Sequence, residues 1–207
     1  MPRPYSMGKR AKAKDRVRRE IERALIRLLA SRPFDAMTMP AIAREAGVSA
    51  RTVQRHFGSK DQVLAAALRF PAKALAEELN GRPAAESAED AIARLVDTMF
   101  AVYNRHRPEL WAAYSRSAQV PELMRAQGVA LVAWMAAVED LFSRWPDVWA
   151  IDPATAKRAV LALTSYPTWR GFAAAGGFGP PEAERFVTDV LCSYLLRESQ
   201  TSQQKHS

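Results

Sequence analysis

The sequence predicts an all-α protein with an N-terminal three-helix head, which contains a helix-turn-helix, followed by a larger helical domain. Residues 38–60 carry the caps and the tight turn of two short helices. Apolar residues then recur at helical spacing in segments broken by Gly or Pro, and no stretch alternates like a strand. The excess of positive charge is confined to residues 1–60. We therefore expect a head over residues 1–60 and a second domain over residues 61–207.

Hydroxyl caps and one glycine define the two short helices of the head. Thr38 can cap the first helix, because its hydroxyl accepts a backbone N–H that the helix leaves without a partner. Gly47 stands where the chain must reverse, and glycine takes a positive φ without a steric penalty. Ser49 can cap the second helix, which runs to about His56 and turns Val53 inward. Such an inner face would hold the second helix at a fixed angle.

The outer face of this second helix carries side chains that can donate hydrogen bonds. A short helix with one apolar side and an opposite side of donors is suited to the major groove of DNA. Lys60 falls in the first turn of a third helix, a position that suits contact with a backbone phosphate. The candidate DNA-contacting residues are Thr38, Ser49, Ala50, Arg51, Thr52, Gln54, Arg55, His56 and Lys60.

The same segment resembles the helix-turn-helix of the TetR family of bacterial transcriptional regulators. The resemblance implies a homodimer that binds an inverted-repeat operator in double-stranded DNA and takes a small-molecule effector in its second domain. Two positions depart from the family pattern: Gln54 stands where the family usually has a tyrosine, and Pro40 where some relatives place a DNA-contacting side chain. The matching residues are Thr38, Ile42, Ala43, Ala46, Gly47, Val48, Ser49, Thr52, His56, Phe57, Lys60 and Leu64.

The charge distribution points to nucleic acid independently of the resemblance. Residues 1–60 hold 15 Lys or Arg against 5 Asp or Glu, whereas residues 61–207 hold 15 against 17. A concentrated basic patch attracts DNA because neutralising phosphates releases counterions. The first dozen residues, with Pro2, Pro4 and Gly8, are predicted to lack fixed structure, either as a solubilising tail or as a DNA-contacting arm. The basic amphipathic helix beyond them could lie on a membrane, but its continuation into the helix-turn-helix favours a roof over the head.

The second domain is predicted to consist of helices separated by proline and glycine. Pro167 falls inside one of them and predicts a kink, because proline removes a hydrogen bond and crowds the preceding turn. The predicted helices cover about 59–79, 86–106, 109–116, 121–144, 153–174 and 181–198.

Aromatic residues are concentrated in the middle of the chain. All five tryptophans lie there, and aromatic walls are typical of pockets for flat or apolar small molecules. Each residue taken singly is better explained by the hydrophobic core, whereas the residues taken together favour an apolar ligand pocket. The candidate ligand-binding residues are Phe100, Tyr103, Trp111, Tyr114, Trp134, Tyr166 and Trp169.

The last two predicted helices carry apolar stripes that a single domain would struggle to bury. The TetR resemblance implies that these helices form a four-helix bundle with the same helices of a second subunit, while ordinary intramolecular packing is the alternative. The candidate dimer-interface residues are Leu163, Phe186, Val190, Leu191 and Tyr194.

Several classes of function are not expected. Cys192 is the only cysteine, so no internal disulfide framework is possible. The three histidines lack the spacing of a metal or catalytic site, and we expect no metal, no cofactor and no enzyme activity. Uncharged stretches are shorter than the roughly 20 residues that a spanning helix needs. These features predict a soluble cytoplasmic protein, associated with the nucleoid and without a membrane partner.

These observations predict a sequence-specific DNA-binding regulator, acting as a repressor that an apolar or aromatic ligand releases from a palindromic operator. A regulator that needs its ligand to bind DNA, or an activator, is the alternative of the same class. A helical carrier of a hydrophobic molecule is the alternative of a different class, and it leaves the basic head unexplained. Salt-dependent binding to duplex DNA separates the regulator from the carrier.

Overall fold

The computed structural model describes residues 7–116 and 120–197, and it confirms the all-α fold. Within these residues there is no strand, only one isolated bridge between Trp149 and Leu196. The helices are α1 (Met7–Leu29), α2 (Met39–Glu45), α3 (Ala50–Phe57), α4 (Lys60–Ala67), α5 (Arg69–Asn80), α6 (Ala88–Arg105), α7 (Arg107–Arg116), α8 (Pro121–Arg144), α9 (Pro153–Leu163), α10 (Tyr166–Arg170) and α11 (Pro180–Leu195). A 3₁₀ turn at Phe34–Ala36 precedes α2, and a π-helical turn at Gly171–Ala175 follows α10.

Three predicted boundaries were wrong for local reasons. The helix expected over 59–79 is divided at Leu68 into α4 and α5. Pro167 does not kink a continuous helix: α9 ends at Leu163, and α10 restarts with Ser165 as its cap and Pro167 in its first turn, where the missing N–H costs nothing. Gly8 lies within α1 rather than in an unstructured arm. Pro2, Pro4 and the tail beyond Arg197 lie outside the described residues.

The chain forms two compact units, each built from separate stretches of sequence. The first unit comprises residues up to Ala72 together with His106–Val129, and the second comprises Lys73–Arg105 together with the residues from Ala130 onward. The division that we predicted at residue 60 is therefore not the division in packing, because α4, α7 and the start of α8 pack with the head. Charge, on which the predicted boundary rests, does not report which apolar faces meet.

The core of the first unit is made by α1, the helix-turn-helix, α4 and α7. Helix α1 packs on both α2 and α4, and α7 packs on α1 and α4. The apolar faces of these helices exclude water, which is the main favourable term in folding. Among the fully buried side chains are Ile21, Leu25, Ile42, Val53, Leu64, Ala113 and Leu123. The roof that α1 was predicted to form over the head is thus present.

The core of the second unit is centred on α6 and α11. These two helices make the most extensive contact between elements in the unit. Val187, Leu191 and Leu195 are spaced by four residues on α11, so they share one face, and each is at most 1% exposed. This face of α11 is therefore part of the intramolecular core.

The turn between α2 and α3 has the hydrogen bonds predicted for a helix that stops at a glycine. Gly47 has φ of 66°. Its N–H donates to the carbonyl of Arg44, and the N–H of Val48 donates to the carbonyl of Ala43. This double pattern is the Schellman motif, and it satisfies carbonyl groups that α2 would otherwise leave without partners.

We expect Gly47→Ala to destabilise the protein by about 1–2 kcal/mol, because an alanine at positive φ brings its Cβ close to the backbone. An added Cβ at Gly47 meets no other atom within 4 Å, so the cost is one of backbone conformation alone. Gly128→Ala is the matched control, since that helical glycine is equally open, and we expect it to be neutral or stabilising by up to about 1 kcal/mol. Urea denaturation of both variants is the measurement, and equal effects would contradict the strain argument.

Candidate nucleic-acid interface

Helix α3 is held in the head by its inner face and its caps. Val53 and Phe57 are buried in the core of the first unit. The Ser49 hydroxyl accepts the N–H of Thr52 at 3.1 Å, and the Thr38 hydroxyl accepts the N–H of Ala41 at 3.3 Å. Both predicted caps are confirmed. A helix of eight residues is about 12 Å long, which matches the width of a major groove.

Two cations on the outer face of α3 are available to a partner. Arg51 and Arg55 are exposed and, within the described residues, neither has a hydrogen-bond or ion-pair partner. They are four residues apart, so they lie one above the other on the same face of the helix. Ala50 is exposed at the start of the helix and leaves room for close approach. Arginine forks can pair with guanine edges or with phosphates.

Two other candidates on α3 already have internal partners. The Thr52 hydroxyl is 2.9 Å from the Ser49 hydroxyl. The Gln54 side-chain amide donates to the carbonyl of Gly58 at 2.8 Å and so caps the end of α3. Gln54, which stands where the family usually has tyrosine, would have to leave this bond to read a base.

The ammonium group of Lys60 points into the protein. Its Nζ donates to the carbonyls of Phe34, Asp35 and Met37 at 3.1, 3.2 and 3.1 Å, and it lies 4.7 Å from the centre of the Phe34 ring. An ammonium has three donors, and all three are used here. This geometry favours a structural role for Lys60 over the phosphate contact that its place at a helix start suggested.

Arg116 of α7 fixes the same 3₁₀ turn from another side. Its guanidinium bonds the carboxylate of Asp35 at 2.6 Å and that of Asp61 at 3.0 Å, and it lies 5.2 Å from the centre of the Phe34 ring. The turn before α2 is thus held between two cations. Sequence analysis missed Arg116, because 55 residues separate it from Asp61 and no local pattern marks the pair.

His56 is half-buried at the end of α3 and does not project like the two arginines. Its Nδ1 atom is buried and has no hydrogen-bond partner among the described residues. Burial lowers the pKa of His56, and the nearby charges of Arg55, Lys14 and Arg18 lower that pKa further. Both effects favour the neutral form of the imidazole.

A basic cleft of about 420 Å³ opens beside His56 within the first unit. Three guanidinium groups line it, those of Arg18, Arg69 and Arg125. Arg18 also lies over the ring of Phe57 at 4.6 Å. Guanidinium forks suit planar, bidentate recognition of phosphate, although Arg18 is already paired with the buried Glu22 at 3.3 Å. Only tertiary structure brings these three residues together, and sequence analysis did not single out Arg69 or Arg125.

Five of the seven predicted ligand-binding residues gather around Thr164 in the second unit. The Tyr103 ring packs edge-on against Tyr166 at 5.5 Å, and it lies at a tilt of 54° to Trp169 at 5.8 Å. The Tyr103 hydroxyl donates to the Thr164 carbonyl, and the Trp134 indole N–H donates to the Thr164 hydroxyl, each at 3.1 Å. The five residues of this aromatic cluster are Phe100, Tyr103, Trp134, Tyr166 and Trp169.

Three members of the aromatic cluster have the properties of packed core, whereas Trp134 and Tyr166 are half-buried. Trp169 is 1% exposed, Phe100 is fully buried, and burial raises the pKa of Tyr103. Trp111 and Tyr114 belong to the first unit, where both are exposed and their rings stack at 6.3 Å. None of the seven lines the basic cleft or a second cleft, of about 400 Å³, in the second unit, so a ligand pocket walled by these residues gains no support from their positions.

The predicted dimer-interface residues fall on two neighbouring faces of α11 and on α9. Phe186 and Tyr194 are exposed, and Leu163 and Val190 are half-buried. Leu191 lies on the core face of α11 and is not accessible to a second chain. Phe186, Val190 and Tyr194 are spaced by four residues, so they form an outer stripe one position away from the core stripe.

The described residues hold no group of three or more His, Cys, Asp or Glu side chains placed to bind a metal ion. In the same residues, each helix is too short or too polar to cross a bilayer.

The head and the second unit together define the fold. The helix-turn-helix presents exposed arginines, and its angle is fixed by the helix caps and by the roof of α1. The chain also forms a second helical unit. This architecture is similar to that of bacterial regulators of the TetR family. Residues 21–67 match the sequence model of the bacterial regulatory proteins, tetR family, which confirms the resemblance predicted from the sequence. A search of curated proteins gives no match.

Solved structures show the same fold over nearly the whole chain. A protein described as a transcriptional regulator, from Saccharomonospora viridis in complex with choline, aligns with a TM-score of 0.74 and 19% identity, covering 88% of this chain and 99% of that one. NalD, the secondary repressor of the MexAB-OprM multidrug efflux pump in Pseudomonas aeruginosa, aligns with a TM-score of 0.68 and 19% identity. The alignment covers 90% of this chain and 100% of that one. FadR from Bacillus subtilis, in complex with stearoyl-CoA, aligns with a TM-score of 0.65 and 14% identity. The alignment covers 84% of this chain and 97% of that one.

Proposed function

We propose that this protein is a homodimeric, sequence-specific repressor that a small molecule releases from an inverted-repeat operator. The observation that carries the proposal is α3: an inner face fixed by Val53 and Phe57, and an outer face with two arginines that have no ion-pair or hydrogen-bond partner in the described part of the chain. The confinement of the chain's excess of positive charge to the head supports it. NalD is a repressor and two similar structures hold small molecules, which supports the further steps of repression and ligand control.

Dimerisation is proposed because one eight-residue helix reads too few bases to find a single site in a genome. Two heads related by a two-fold axis would read half-sites about 34 Å apart on one side of the duplex. The outer stripe of Phe186, Val190 and Tyr194 is the surface that we assign to the second subunit. It is apolar, exposed or half-buried, and adjacent to the core face of the same helix.

Release by ligand needs only a difference in affinity. The ligand must bind better to an arrangement of the dimer in which the two heads no longer match successive major grooves. A preference of about 10⁴-fold between the two arrangements is enough for a full switch. We place the ligand in the second unit, since the first holds the DNA-contacting residues.

Selection of bound duplexes from a random pool by the purified protein tests the proposal. An enriched inverted repeat is expected, with affinity that falls steeply as salt rises. Sequence-indifferent binding would instead indicate an architectural DNA-binding protein, and no binding would favour the carrier.

Arg51→Ala should then weaken operator binding by about 1–3 kcal/mol and relax the preference at one position of each half-site. Arg105→Ala is the control for the same loss of charge, because Arg105 is an exposed residue of α6 that pairs with Glu78, and it should leave binding unchanged. An equal loss on operator and random DNA for Arg51→Ala would contradict base reading. Fluorescence anisotropy on the selected duplex and on random duplex measures both quantities.

A further inference from the structure

The second unit contains a cleft of about 400 Å³ that is lined by charged as well as apolar side chains. It is formed by the end of α5, the segment that follows it, the first turns of α6 and the last turns of α8. Alanines at 84, 85, 91, 136 and 137 line it, and their small side chains leave the space open. Its volume falls in the range typical of small-molecule sites. We call it the Arg82 cleft.

The charges of the Arg82 cleft do not balance. Three arginines and one aspartate line it. Arg94 is paired with Asp90 at 2.7 Å, and Arg144 with Asp140 at 2.9 Å. Arg82 has no carboxylate within salt-bridge distance among the described residues, and its one hydrogen bond goes from Nε to the carbonyl of Leu79 at 3.3 Å. Among the lining side chains and these ion-pair partners, one positive charge is therefore left over, and Asp140 attracts Arg82 only from beyond salt-bridge distance.

The partly buried position of Arg82 makes this surplus charge unfavourable in free energy. Its side chain is half-buried, and burial lowers the pKa of its guanidinium. A cation taken out of water without a partner is unfavourable, and a bound anion removes that cost. The fork of N–H donors that the Nε bond leaves unused suits a carboxylate.

We infer that the Arg82 cleft binds an amphipathic carboxylate, with Arg82 pairing the carboxylate and the apolar lining covering the rest of the molecule. A single surplus charge matches a monoanion, and Asp140 disfavours a dianion such as inorganic phosphate. Leu79, Leu95 and Leu141, with Trp145, supply apolar surface for a chain or ring. As an identification of the effector, the inference rests on the proposed ligand-controlled repressor; as a binding site, it stands on the cleft alone.

Calorimetric titration of the full-length protein with octanoate, in the absence of DNA, tests the site. We expect saturable binding at one site per chain, with 1-octanol and inorganic phosphate each at least ten-fold weaker. Butanoate should also bind at least ten-fold more weakly, because it buries less apolar surface. No saturable octanoate binding, or phosphate binding as tight as octanoate, would overturn the inference.

Variants of Arg82 locate the binding. Arg82→Gln should weaken octanoate at least ten-fold, and Arg82→Lys, which keeps the charge but not the fork, should give an intermediate affinity. Arg185→Gln is the matched control: Arg185 is exposed on α11 and also donates from Nε to a nearby carbonyl at 3.3 Å, yet does not line the cleft. Unchanged octanoate binding in Arg82→Gln, or equal loss in both Gln variants, would overturn the assignment.

The same titration with the selected duplex present separates this inference from the proposed function. Octanoate binding that depends on Arg82 but leaves DNA affinity unchanged would support the binding site. It would contradict the idea that this ligand releases the protein from DNA. Operator binding without any octanoate binding would support the proposed regulator and overturn the proposed carboxylate site.

Discussion

Lys60→Met is expected to destabilise the protein by about 2–3 kcal/mol, because hydrogen bonds to charged groups contribute about 1.5–3 kcal/mol. The three carbonyls of the 3₁₀ turn lose their common donor. Methionine keeps the apolar stem of lysine, so the change removes the ammonium and little packing. Urea denaturation of the full chain gives the free energy of unfolding.

Lys12→Met is the control for the loss of one basic residue in the head. Lys12 is an exposed residue of α1, and its replacement should change stability by less than about 0.5 kcal/mol. A different result would assign Lys60 to DNA binding. If Lys60→Met left stability unchanged but weakened binding evenly on all duplexes and reduced the salt slope by about one, Lys60 would be a phosphate contact after all.

Trp169→Ala is expected to cost about 3–5 kcal/mol, the range for removing a large buried aromatic side chain. Trp169 is 1% exposed and packs on Tyr103 and Tyr166. Proteins are stable by only about 5–15 kcal/mol, so this single change removes a large part of the total. Thermal and urea denaturation measure the loss.

Trp111→Ala removes the same side chain from an exposed position, 42% accessible, and should cost about 1 kcal/mol through its stacking on Tyr114. The pair of variants decides between core and pocket for the aromatic cluster. A loss below about 1 kcal/mol in Trp169→Ala, together with altered small-molecule binding, would identify Trp169 as a pocket wall and contradict the core assignment.

The sequence by itself predicted the features of the head that depend on neighbours along the chain. Thr38 and Ser49 cap their helices as expected, and Gly47 has the positive φ that its place in the turn required. These interactions join residues within about four positions, so the local order of residue types is enough to specify them. The surplus of basic residues in the head follows from counting alone.

Tertiary structure decided what the long side chains do. Lys60 reaches carbonyls more than twenty residues away, and Arg116 reaches Asp61 across 55 residues. Neither partner can be found from spacing along one helix, because it depends on how separate helices pack. The same holds for the aromatic residues, whose composition fits both a pocket and a core until their packing is known.

The apolar stripe of α11 could be only partly predicted from the sequence. The helical period was predicted, but Leu191 and Val190 are adjacent in sequence and lie on different faces of α11. One face packs on α6, and the other carries Phe186 and Tyr194 at the surface. The sequence thus determined the class of fold, the position of α3 and the charge of its outer face. Only tertiary packing decided which cations and which apolar faces of the protein remain available to partners. The reason is that burial depends on two surfaces meeting, whereas the sequence specifies each surface separately.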